Sequence, residues 1–237
     1  IAVGGGSSMD TAKAIALLGT NPGKVADYVL ADFTDLGKIK QRPLPLITIP
    51  TTAGTGSEVD FWAVITIMEK RMKFSIGQGP MYPDGPYLGA TVSLVDPVLT
   101  LRLPPKLTAS TGVDALSHAV ETYVAKGTNP FVEALALRSI ELIARYLPTA
   151  YREGSNMEAR ESIMLASHLA GICENFANCG GIHSLAEATG GVRGDIPHGV
   201  AISVYFPHVM EYNLPEAEAK FAKIAEAMDE KIESLSV

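Results

Sequence analysis

Residues 1–18 read IAVGGGSSMDTAKAIALL. Ile1 to Val3 form a strand-like end, Gly4-Gly5-Gly6 a glycine turn, and Ser7 to Leu18 an amphipathic helix opened by Ser7 or Ser8, with Asp10 in its positive first turn. Strand, glycine turn and helix in that order specify an α/β sheet with ligands at its carboxyl edge. The turn also presents backbone N–H groups and a helix N-terminus, where a phosphate can sit. It is not a GxGxxG fingerprint, because Met9 holds the place of the third glycine. A plain strand-to-helix turn therefore stands beside the phosphate site as a reading.

Further strand candidates are Leu44–Ile49, Phe61–Met68 and Ala90–Val95. A second polar turn, Pro50 to Glu58, follows the first of these and offers hydroxyls at the same sheet edge. Two such turns suggest one extended anionic ligand, such as a dinucleotide; Thr and Ser capping of loops is the alternative. After Leu103-Pro104-Pro105 the pattern changes to helices: Lys106–Lys126, Phe131–Tyr146, Met157–Ala170, Ile182–Ala188 and Glu216–Ile232. The expected organisation is an α/β domain over 1–103 and a helical domain over 104–237. The chain starts without Met in a strand that belongs mid-sheet, and it stops in a helical pattern without a capping glycine. Both ends predict a fragment.

The composition fits a globular protein. Of 237 residues 47% are hydrophobic and 19% charged, and 26 acidic side chains exceed 19 basic ones to give a net charge of −7. That balance argues against nucleic acid or an anionic membrane as partner, since both require a basic face. No run of about 18 apolar residues or secretory leader is visible. Cys173 and Cys179 match neither a disulfide framework nor a CxxC pair, and are expected as reduced, buried thiols of a cytoplasmic protein.

The strongest chemical pattern lies in the helical half. Asp114 and His118 are four apart in Val113 to His118, so on a helix they share one face. His183 follows in a helical stretch, and His198 in the loop Asp195-Ile196-Pro197-His198-Gly199. One carboxylate and three imidazoles suit Fe²⁺ or Zn²⁺ better than Mg²⁺ or Ca²⁺, which favour all-oxygen shells. His168 and His208 lack such a paired carboxylate and are expected to be structural.

Four segments in order, GGGSSMDTAKAIA (4–16), PLITIPTTAGTGSE (45–58), DPVLTLRLPPKLTASTGVDALSHAVETY (96–123) and GGIHSLAEATGGVRGDIPHGVAISVYFPHVMEYN (180–213), resemble the iron-containing (group III) alcohol dehydrogenase family. The resemblance implies a partial Rossmann-like dinucleotide-binding domain, lacking its N-terminal strands, followed by a helical metal-binding domain of dehydroquinate-synthase-like architecture. It implies that Asp114, His118, His183 and His198 hold Fe²⁺, with Zn²⁺ the alternative. It further implies that Gly5, Gly6, Ser7 and Asp10 approach the pyrophosphate of NAD or NADP, that Thr51, Thr52 and Thr55 line the nicotinamide side, and that Lys73 reaches the ribose. The implied activity is hydride transfer on small alcohols or aldehydes by a homodimer or larger homo-oligomer.

Two departures from the family pattern bear on that activity. Members usually carry a second histidine four residues after the third ligand, where this chain has Glu187. Glu187 is then an acid/base, an extra ligand or a salt-bridged structural carboxylate. The connection Gly79 to Thr91 is longer than usual. Competing expectations are a zinc-dependent glycerol-dehydrogenase-like or dehydroquinate-synthase-like enzyme, and a non-catalytic metal-binding or oligomer-forming fragment.

Overall fold

A computed structural model of the chain describes residues 1–30, 38–78 and 87–230. Most of the connection Gly79–Thr91 and the end of the helix expected over Glu216–Ile232 lie outside those residues. Three short strands, β1 (Ala2–Gly4), β2 (Ile47–Pro50) and β5 (Val92–Ser93), pair in parallel in the order β1-β2-β5. Helix α1 (Gly6–Leu18) follows β1 directly. β3 (Trp62–Ile67) and β4 (Met72–Gly77) form a separate antiparallel hairpin, with Trp62 opposite Gly77 and Ile67 opposite Met72.

The start of α1 differs from expectation. Its N-cap is Gly5, with no side-chain cap, so neither Ser7 nor Ser8 opens it and Asp10 falls in the second turn. A glycine at this place lets the chain leave β1 closely alongside the loop after β2, where Thr51 N–H donates to Gly4 O at 2.9 Å. Asp10 instead fastens the hairpin: its carboxylate accepts from Ser57 Oγ at 2.6 Å and from Val64 N–H at 3.0 Å.

The expected strand Phe61–Met68 does not join the parallel sheet, because the hairpin is tied to the flank of α1. Lys13, 1% exposed, gives its ammonium to Asp60 Oδ1 at 2.5 Å, Trp62 O at 2.6 Å and Ser57 Oγ at 3.1 Å. All three of its donors are thus placed. Burial raises the Asp60 carboxyl to about 7 even though Lys13 lies against it. Ala14 and Leu17 of α1 complete the junction by packing with Ala63, Ile76 and Leu88. β4 was not anticipated, although Met72-Lys73-Phe74-Ser75-Ile76 alternates apolar and polar residues as a half-buried strand does.

From Pro105 onward the described chain is helical: α2 (Pro105–Val124), α3 (Pro130–Arg152), α4 (Met157–Glu174), α5 (Gly181–Val192) and α6 (His198–Ala227). Each of the first two starts with the proline that suits a helix N-terminus. Asn129 and Asn156 cap α3 and α4 through their side chains. α3 runs past the expected end at Tyr146 and through Pro148, since burial of Ala150 with Ala159 and Ile163 keeps the last turns packed. α6 begins at His198, not at Glu216, and bends at Ala217, two residues after Pro215. His198 therefore opens a helix where a loop was expected.

Ala119, Val120 and Tyr123 of α2 pack with Val132, Ala136 and Ile140 of α3 and with Ala170 and Cys173 of α4 to make the main helical core. The strand-bearing part meets α4 through two glycines. A Cβ on Gly171 would lie 2.7 Å from Gly56 Cα, so only glycine allows the loop after β2 to touch the helix there. Asn175 then fastens the contact, accepting from Phe61 N–H at 2.9 Å and donating to Val59 O at 3.1 Å.

Replacing Lys13 by Met leaves Asp60 buried without its cation. We expect a loss of about 3–5 kcal/mol in denaturant unfolding, the cost of breaking a buried pair from one side. The double replacement Lys13→Met with Asp60→Asn should recover a large part of it.

Candidate metal centre

On α2, Asp114, His118 and Glu121 stand at i, i+4 and i+7, which is one helical face. All three are nearly fully buried, at 3%, 5% and 3% exposure. Such residues stay buried only where partners answer them. The answers come from α5 and α6. Glu121 accepts from Ile182 N–H at 2.7 Å and forms a short hydrogen bond with His183 Nδ1. Since the N-cap of α5 is Gly180, which has no side chain, Glu121 serves as the cap from a neighbouring helix. With Nδ1 held by Glu121, His183 turns Nε2 toward Asp114 Oδ1, 3.6 Å away.

His198 reaches the same carboxylate: its Nε2 is 3.6 Å from Asp114 Oδ1. The next residue explains how. A Cβ on Gly199 would collide with Ser110 O, so glycine is what lets the start of α6 lie against α2. His118 stacks on His183, with ring centroids 4.1 Å apart and planes 18° from parallel. Its Nδ1 is 3.4 Å from Glu174 Oε1.

Electrostatics put Asp114, His118 and His198 in the state that metal donors need, an ionised carboxylate and neutral imidazoles, whereas His183 must give up a proton to ligate. Burial works against a charge on Asp114, but the three imidazoles outweigh it and hold the carboxyl down at about 2. Burial and the positive potential of His183 take His118 down to about 3, and burial also lowers His198. Burial opposes charge on His183 too, yet Cys179, Asp114 and Glu121 together move it well above the ordinary imidazole value. Asp114 Oδ1, His118 Nδ1, His183 Nε2 and His198 Nδ1 are all buried without a hydrogen-bond partner. Unanswered polar atoms of this kind cost about 1–3 kcal/mol each. A divalent ion answers several at once, so the residues fit one. The ligand atoms of Asp114, His183 and His198 lie within 4.8 Å of one another.

These side chains form one wall of a cavity of about 600 Å³. Gly6, Ser7, Asp10, Thr55, Lys73, Asp114, His118, His183, Glu187 and His198 line it. The glycine turn, the second polar turn and the histidines thus meet in one space. Gly5, Thr51 and Thr52 are outside the lining, although Thr52 packs on Gly5. Burial raises the Glu187 carboxyl, while the charges of His183 and Lys73 act in the opposite direction.

Three features were missed by sequence reading. Glu121 escaped notice, although its spacing of seven from Asp114 on one helix face is a usable signal. Glu174 and Cys179 also line the cavity. Cys179 was expected to be buried structurally; it borders the cavity instead, and burial raises its thiol to about 12. His168, expected to lack a carboxylate, has Glu58 Oε1 3.1 Å from its Nδ1. His208 is exposed on α6.

Comparison with known proteins identifies the family. Residues 1–97 match the family model for iron-containing alcohol dehydrogenase, and residues 108–236 match the C-terminal model of the Fe-containing alcohol dehydrogenase family. The chain belongs to the iron-containing alcohol dehydrogenase family. Among curated relatives, a choline dehydrogenase of Bacillus subtilis is 44% identical over 229 residues, covering 96% of this chain and 54% of its own length. An NAD-dependent methanol dehydrogenase of Bacillus methanolicus is 41% identical over 236 residues, covering 100% of this chain and 58% of its own length. A solved 1,3-propanediol oxidoreductase superposes with a TM-score of 0.89 at 42% identity, over 99% of this chain and 58% of that one. The chain therefore spans little more than half the length of these relatives.

Glu121→Ala removes the partner of His183 Nδ1 and the cap of α5 together. Metal-free protein should lose about 1–3 kcal/mol on chemical unfolding, the usual cost of orphaned buried groups. Metal affinity measured by competition with a chelator should fall about 10–100-fold, as it does when a histidine ligand loses its orienting carboxylate.

Proposed function

We propose that this chain forms the metal- and nicotinamide-binding part of an alcohol dehydrogenase or aldehyde reductase that uses NAD or NADP and acts on small alcohols or aldehydes. The observation that carries this reading is the shared cavity. Asp114, His118, His183 and His198, the four residues that carry these buried atoms without partners, line the same cavity as Gly6 and Ser7 at the N-terminus of α1. The NAD-dependent methanol dehydrogenase among the relatives supports a nicotinamide cofactor, and the family supports iron. The division of labour expected from the sequence, cofactor before residue 103 and metal after it, is part of the proposal.

When bound, a divalent ion supplies Lewis acidity toward the substrate oxygen and the nicotinamide supplies or accepts hydride. The chain's own residues do the rest. Asp114, His118, His183 and His198 are assigned to hold the ion, with Asp114 as the anionic donor. Gly6 and Ser7 present the positive end of α1, which suits the pyrophosphate. Thr55 lies against Gly6, so the second turn shapes the same subsite. Lys73 on β4 lines the same cavity and is assigned to the cofactor ribose.

Glu187 is assigned the proton. It lies one turn after His183 on α5, and burial favours its protonated carboxyl. A carboxyl shifted upward is better matched to proton exchange with a substrate hydroxyl than an unshifted surface carboxylate is. Asp10 is occupied by Ser57 and Val64, so its part is to fix the turn rather than to meet the cofactor directly. A cytoplasmic homo-oligomer is part of the proposal. Among the described residues no helix is long and apolar enough to cross a membrane.

Two experiments test the reading. Protein purified without oxygen should contain metal in proportion to chain, and His198→Ala should lose both the metal and alcohol-dependent reduction of NAD. Unchanged metal and turnover in that variant would remove His198 from the ligand set. For the proton role, Glu187→Gln should keep the metal and lower kcat about 10²–10⁴-fold, the range for loss of a positioned acid/base, with Glu187→His restoring part of it.

A further inference from the structure

Among the described residues, two sets of three donors are close enough to share an ion. Asp114, His183 and His198 form one, His118, Cys179 and His183 the other, and in each the ligand atoms lie within 4.8 Å of one another. His183 belongs to both. Its Nδ1 is engaged with Glu121, which leaves Nε2 as its one free donor. One nitrogen lone pair serves one ion, so the two sets describe the surroundings of a single ion rather than two separate sites.

The added member is a sulfur. Cys179 stands in Asn178-Cys179-Gly180, immediately before α5, so the turn that sets the height of His183 also brings the thiol to the cavity wall. Its neighbours in the set are buried imidazoles with unpartnered nitrogens, His118 Nδ1 and His183 Nε2. The other cysteine is in a different setting. Cys173 is fully buried in the helical core, where its thiol lies 3.6 Å from Val132 O, and it belongs to neither donor set.

Resting on the metal-site reading above, we propose that Cys179 is a ligand of the ion, which it shares with His118 and His183. On binding, the thiol proton leaves to solvent and the sulfur donates a lone pair to the ion, with no change of oxidation state in either. This accounts for the position of His118, which stacks on His183 and groups with Cys179 on one side of the ion, while Asp114 and His198 group with His183 on the other. It also changes what the site selects. Thiolate is a soft donor, so a set that contains it favours Zn²⁺ and Co²⁺ over Fe²⁺ more than an all-nitrogen-and-oxygen set does.

Co²⁺ is the probe, because thiolate coordination gives an intense near-ultraviolet charge-transfer band that imidazole and carboxylate ligands do not. Purified protein is stripped of metal and titrated with Co²⁺ without oxygen, alongside Cys179→Ser, Cys179→Ala, Cys173→Ser and His198→Ala, with circular dichroism to confirm that each variant is folded. The expected result is a band that grows to saturation in the wild-type protein and in Cys173→Ser. Both Cys179 variants should bind Co²⁺ more weakly and without the band. Tight Co²⁺ binding by the wild-type protein with no band overturns the sulfur ligand, and the metal-site reading stands if His198→Ala then loses the ion. A band that persists in folded Cys179→Ala also overturns it. Failure of the wild-type protein to take up Co²⁺ at all overturns both.

Discussion

The buried face of α2 is the constraint around which the helical part is arranged. Asp114, His118 and Glu121 bring a carboxylate, an imidazole and a second carboxylate into the interior, where desolvation of unpaired polar groups is costly. Glu121 is fully answered, by the first turn of α5 and by the His183 ring. Asp114 and His118 each keep a buried atom without a partner, and both residues line the cavity. The protein thus spends hydrogen bonds on fixing one imidazole and leaves its neighbours free for a ligand. A site whose donors are placed by packing before the ligand arrives requires little rearrangement on binding.

That arrangement works only if the strand-bearing part is held against it. The loop after β2 contributes Gly56, which touches Gly171 of α4, and Glu58, which pairs with His168. Asn175 joins the end of α4 to the residues that lead into β3. On the far side, Lys13 binds the hairpin to α1 through Asp60, Ser57 and Trp62. These contacts bring the N-terminus of α1, Lys73 of β4 and the histidines around one cavity. Each is a small feature, a missing Cβ or a single buried ion pair, and each sets a distance between two elements remote in sequence.

The boundaries of the elements show where local signals gave way to packing. Strand, glycine turn and helix at the N-terminus and the succession of helices after Pro105 follow local propensity and period, and the structure contains them. The hairpin strand β4 has the alternation of a strand, and it acquires its place by pairing with β3. α3 continues through Pro148 because its far turns are buried. α6 starts at His198, directly after Pro197, and Gly199 permits its close contact with α2.

By itself the sequence determined the residue types and their helical spacing: a carboxylate and an imidazole four apart, further histidines downstream, a glycine turn behind a strand, and through these the family. Periodicity and residue chemistry are local properties, so they can be read along the chain. Tertiary structure decided which atoms meet. It brought Glu121 to His183, placed Cys179 beside His118, occupied Asp10 with Ser57 and Val64, and left Gly5, Thr51 and Thr52 outside the cavity lining. Those outcomes depend on how closely α2, α5, α6 and the hairpin approach one another, and that is fixed by burial and excluded volume between residues far apart in the chain.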